Sequence, residues 1–162
     1  MRRASRLDRE RVMSIAHAVA AAVSFTWLGM VIAISFIEAP LKFRAPGVSL
    51  QTGLSIGRLV FRALNTVEAA LAMVLLVVLV ADPPSPTVIV AVGVVVVVLA
   101  AQLLVVRPRL TRRSDLVLAG PAGPHEVDQP TRRSPVHYSY VGLELVKIAA
   151  LVISGAAALA GA

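Results

Sequence analysis

Apolar residues gather into four long runs along this chain, separated by polar or Pro/Gly-rich stretches. The first, Ile15–Ile37, follows a polar, Arg-rich leader over residues 1–14 and is broken by little more than His17, Ser24, Thr26 and Ser35. A signal peptide has an apolar core of only about 7–15 residues and a small-residue cleavage site. This run is longer and ends in Glu38-Ala39-Pro40, so it reads as a retained helix. The second run, Gly57–Ala81, stops at Asp82-Pro83-Pro84-Ser85-Pro86. The third, Thr87–Val106, carries no charge, and Gln102 is its only strongly polar side chain. Its valines favour strands in water, but a lone strand in hydrocarbon leaves its backbone unsatisfied, so a helix is expected. With so little polarity, that helix is expected to be the most lipid-exposed. The fourth run covers about 136–161.

A bilayer core about 30 Å thick is crossed by about 20 apolar residues in a helix, which each run supplies. The expected fold is therefore all-α: a polytopic membrane protein forming one domain, a bundle of four transmembrane helices over 15–37, 57–81, 87–106 and 136–161. Ser55 stands where it would cap the second helix. Residues 107–135 hold five of the ten prolines and form the longest connection, mobile from Gly120 to Pro135.

Composition agrees with the pattern. Of 162 residues, 57% are hydrophobic and only 15% charged, and the mean hydropathy is +0.82, too apolar for an ordinary soluble domain. A net charge of +7 raises the question of nucleic acid. The basic residues lie between the apolar runs, however, where they meet lipid headgroups and set orientation. The bilayer, not nucleic acid, is the expected partner. Lys and Arg number five in the leader against nine in the first and third connections, which share a side. The positive-inside bias then places the basic connections in the cytoplasm and both termini outside, with the basic leader opposing this. The absence of cysteine excludes disulfides, thiolate metal sites and Cys nucleophiles.

Two polar stripes change the picture more. Arg58, Arg62, Asn65 and Glu68 follow one another at steps of 3 or 4, as do His137, Tyr140, Glu144 and Lys147, which puts each set on one side of its helix. Both helices start from the same side of the membrane. Glu68 is eleven residues past Gly57 and Lys147 eleven past Val136, each roughly 16 Å in at 1.5 Å per residue. Asn65 and Glu144 both sit eight residues past those starts, roughly 12 Å deep. Glu68 and Lys147 are thus the expected ion pair, with Glu144 reaching toward Arg62 or Asn65. Two carboxylates against one lysine leave a surplus acid unless Arg62 reaches down, and a surplus buried acid can carry a proton. The first helix adds a fainter stripe, His17, Ser24, Val31 and Glu38, at heptad spacing.

His17 and Glu38 fall at opposite ends of that helix, so His17 and His137 cannot share a haem or a metal, and no cofactor or metal is expected. Phosphate loops, Ser–His–Asp order and H-E-x-x-H are absent from the sequence. Phe36, Phe43, Phe61, Tyr138 and Tyr140 gather near the basic side as interfacial anchors, and Trp27 is expected to pack within the bundle. Gly29/Ala33 and Ser154, Gly155 and Gly161 fit close helix approach.

The blocks Phe36–Glu68 and Arg107–Lys147 carry an E-A-P-L-K-F connection, an R-x-x-F-x-x-x-N helix start and a final E-x-x-K. In residues these are Glu38, Pro40, Lys42, Phe43, Arg58, Phe61, Asn65, Glu144 and Lys147. In these motifs the chain resembles a group of uncharacterised bacterial four-helix integral membrane proteins. That resemblance implies a multi-pass protein of a bacterial cytoplasmic membrane with unassigned activity. The layout is more remotely similar to four-helix modules linked with copper resistance, whose His and Met ligands this chain lacks. The functional expectation is a non-enzymatic protein whose buried polar face locks the bundle, a homo-oligomer or an assembly with a membrane-protein partner. The alternative is a proton- or ion-coupled small-solute transporter using Glu68, Glu144 and Lys147. An enzyme working at the basic interface through Tyr138, His137 and Glu38 has least behind it.

Overall fold

The computed structural model describes residues 2–81, 83–106, 108 and 135–161, so the long basic connection lies almost wholly outside the described residues. Four helices long and apolar enough to cross a membrane are present, and the described residues hold no strand. We number the helices α1 (Arg2–Val31), α2 (Leu50–Ala81), α3 (Pro86–Ala101) and α4 (Pro135–Ala160).

The elements are longer than the apolar runs. α1 starts within the Arg-rich leader, because nothing over residues 2–14 breaks a helix. At its other end it does not stop at Ile37. A π-helical stretch, Ile32–Glu38, leads into one turn, Ala39–Leu41, and a 3-10 turn, Lys42–Arg44. A proline ring collides with the carbonyl four residues back in an α-helix, and the wider π turn before Pro40 relieves that collision. The chain reverses at Pro46-Gly47, where Gly47 takes φ +79°, a conformation that glycine adopts without strain.

α2 begins seven residues before the expected start. Ser49, not Ser55, caps it: its Oγ accepts the Thr52 N–H at 3.1 Å. Ser55 lies inside the helix. The two extra turns carry Gly53, against which the Phe43 ring packs, and lead into Gly57, against which the Lys42 ammonium packs. α3 opens on Pro86, which needs no N–H there, and runs on as a second π stretch, Gln102–Val106.

α4 packs most extensively on α1 and α3, whereas α2 contacts α1 and α3 and faces α4 across the diagonal. The core is built from Trp27, Val31, Leu75, Val92, Val95 and Leu151 with small residues between them. The third span is not the most exposed: 39% of its apolar window is buried, as in α4, against 22% in α2. An all-apolar helix is uninformative about which face turns inward, and here Val88, Ala91, Val92, Val95 and Leu99 supply that face. Gly29 and Ala33 are exposed, so they mark no close approach, while Gly155 and Gly161 take the Phe25 and His17 rings against their backbones.

Candidate functional site

Every span sends a polar group to one buried point. From α4, the Lys147 ammonium donates to Glu68 Oε1 at 2.5 Å and to Gln102 Oε1 at 2.8 Å. Glu144 Oε2 lies 3.2 Å from the same nitrogen, one turn back on α4. From α1, the Trp27 indole donates to Glu68 Oε1 at 2.8 Å. Lys147, Glu68 and Trp27 are fully buried, and Glu144 and Gln102 nearly so. A charge at that depth is tolerated only when paired and hydrogen-bonded, which Lys147 and Glu68 are.

The pair forms although α2 starts early. Glu68 is eighteen residues past Leu50 and Lys147 twelve past Pro135, so α2 overhangs α4 by roughly 9 Å on the basic side. That overhang holds the turns that pack on Lys42 and Phe43. Because α2 and α4 are diagonal, two long side chains meet in the middle where the backbones do not.

The remaining expected residues divide. Arg62 is exposed and does not reach Glu144. Six residues separate it from Glu68, about 120° around a helix at 100° per residue, so steps of 3 in succession carried the stripe off the buried face. Asn65 is half-buried and makes no bond to Glu144. Arg58 is half-buried, ten residues nearer the basic end of α2. The Tyr140 hydroxyl stands beside Glu144 and Ser35. His137 lies in the first turn of α4, and its side chain, like that of Tyr138, is outside the described residues.

Glu38 belongs to a separate cluster at the basic end. It pairs with Lys42 at 3.2 Å, and the ammonium sits 5.3 Å from the Phe61 ring and 5.6 Å from that of Phe43. Phe61 in turn meets Tyr140 edge-on, with centroids 5.8 Å apart. The cationic head over two aromatic faces gives the E-A-P-L-K-F segment its physical sense. Toward the other end, Ser24 and Ser154 share a buried hydrogen bond of 3.1 Å, and His17 lies over Gly161.

Trp27 and Gln102 are the node residues that the stripes did not reveal. The available signal was chemical: an indole N–H and a carboxamide, placed mid-span on otherwise apolar helices, each need a partner. No group of three or more His, Cys, Asp or Glu side chains arranged for a metal ion occurs among the described residues.

Residues 22–116 match the family model described as a domain of unknown function (DUF4149). No curated protein and no solved structure matches the chain.

Proposed function

The chain belongs to the DUF4149 family, whose model covers more than half of it, and on that premise we propose a non-enzymatic multi-pass membrane protein whose buried polar node locks the four spans in register. The observation behind this reading is the convergence on Lys147: a bond to α2, a bond to α3, and α1 joined through Trp27 to the same Glu68 oxygen. In a bilayer, apolar faces have little preference for one another over lipid, so hydrogen bonds and packing decide register. We place the protein in the bacterial cytoplasmic membrane with its basic connections on the cytoplasmic side, as a homo-oligomer or with a membrane-protein partner.

Glu68→Leu and Lys147→Met, made singly and together, test the lock. Each single change strands a buried charge and is expected to cost about 3–5 kcal/mol of unfolding free energy in detergent, while the double change restores most of it. Equal additive losses would contradict the lock. A second reading, a proton- or ion-coupled transporter of small solutes through Glu68, Glu144 and Lys147, draws on the two carboxylates facing one ammonium. On that reading the double variant folds and has lost flux in proteoliposomes.

A further inference from the structure

The node holds two carboxylates and one ammonium, and its hydrogen bonds are divided unequally between the acids. Glu68 Oε1 receives both Lys147 and Trp27. Glu144 has the longer 3.2 Å contact to Lys147 and, apart from the Tyr140 hydroxyl beside it, no hydrogen bond on either oxygen, although it is 1% exposed. Gln102, 3% exposed and held in the node through its carbonyl, likewise leaves its amide nitrogen without an acceptor. The groups shown against Glu144 are Lys147 and the Tyr140 hydroxyl, both on α4; Glu68 of α2 and Gln102 of the third span share that lysine, Trp27 of the first span bonds Glu68, and Ser35 stands beside Tyr140. Arg62, the nearest cation back along α2, is exposed about 120° around the helix from Glu68, and Lys147 is the cation that the described contacts place against either carboxylate. One more positive charge is therefore needed for neutrality, and the side chain with room for it is Glu144.

We propose that the node binds one exchangeable proton on the Glu144 carboxyl, taken up from the basic face past the hydroxyls of Tyr140 and Ser35. Binding forms one O–H bond on Glu144 and makes the node neutral; release returns that proton to the same face, with no other bond changed. Tyr140 is placed for this, since its hydroxyl lies beside both Glu144 and Ser35, while the ring meets Phe61 at the basic end. The inference rests on the geometry of the node and is independent of whether the node also locks the bundle.

The test is infrared spectroscopy of the full-length protein in lipid at neutral pH. Wild type is expected to show the C=O stretch of a buried carboxylic acid, lost in Glu144→Gln and kept in Arg62→Ala, whose exposed side chain lies outside the node. Glu144→Asp shifts that band, which keeps the assignment testable if the Gln variant does not fold. Tyr140→Phe is expected to slow the band's response to a pH jump at least several-fold. Absence of an acid band in folded wild type, or a band unmoved by both Glu144 substitutions, would overturn the proposal. Neither outcome would touch the unfolding cycle at Glu68 and Lys147.

Discussion

Lys147 has three N–H bonds to direct and three oxygens around it, from Glu68, Gln102 and Glu144. An ammonium has no acceptor capacity, so its burial depends wholly on such neighbours. Removing one of them in an apolar interior costs more than the same bond at a surface. Gln102→Leu is expected to lower stability by about 1.5–3 kcal/mol, the range for a hydrogen bond to a charged group. Trp27→Phe, which removes the second donor to Glu68, is expected to cost a similar amount plus a packing loss. Arg62→Ala is expected to stay within about 0.5 kcal/mol, because its exposed side chain supports nothing in the bundle. Unfolding of the three variants in one detergent checks all of these. A large loss at Arg62 with none at Gln102 would place the polar contacts elsewhere.

At the scale of elements, α1 and α4 share one antiparallel seam. His17 meets Gly161, and seven residues on, Ser24 meets Ser154; a further seven bring Val31 to the level of Lys147. The heptad stripe of the first helix was legible in the sequence, and His17 and Ser24 of that stripe pack against Gly161 and Ser154, themselves seven residues apart. The chain has no cysteine, so Ser24→Cys with Ser154→Cys provides a clean register test. Their oxygens are 3.1 Å apart, and the pair is expected to form a disulfide under mild oxidation, visible as a mobility shift reversed by reductant. No cross-link would mean a different register.

The elements also show where reading the chain succeeded and why it fell short. Four spans and the Glu68–Lys147 pair were legible because length, charge and depth are one-dimensional quantities. Helix ends were not: Ser49 and Ser55 are both good caps, and only the packing of Gly53 and Gly57 on Phe43 and Lys42 decides between them. Arg62 failed because stepping by threes drifts around a helix. The burial of α3 was hidden because a run of valines carries no facial contrast, leaving Gln102 as its one marker.

In the molecule as a whole, the polar node is inside, and the Glu38–Lys42 pair lies toward one end of the spans. The family segment supplies Trp27, Glu68 and Gln102, and the helix beyond it supplies Glu144 and Lys147. Salt screens exposed charges within roughly 10 Å at 0.1 M but reaches a sealed pair poorly. Raising ionic strength tenfold is therefore expected to leave the unfolding midpoint of the purified protein nearly unchanged. A midpoint that falls steeply with salt would assign stability to exposed charges instead of the node. Outward, the same spans present Leu59, Met73, Val77 and Val80 of α2 to the bilayer.

The central claim, that the polar node is sealed from lipid by its own four helices, is tested most directly by the chain's one tryptophan. Trp27 is fully buried and bonded to Glu68, so its fluorescence in vesicles of brominated phospholipid is expected to be quenched only weakly, far less than that of a Val80→Trp control carrying Trp27→Phe. Quenching of Trp27 as strong as that of the outward-facing control would contradict it.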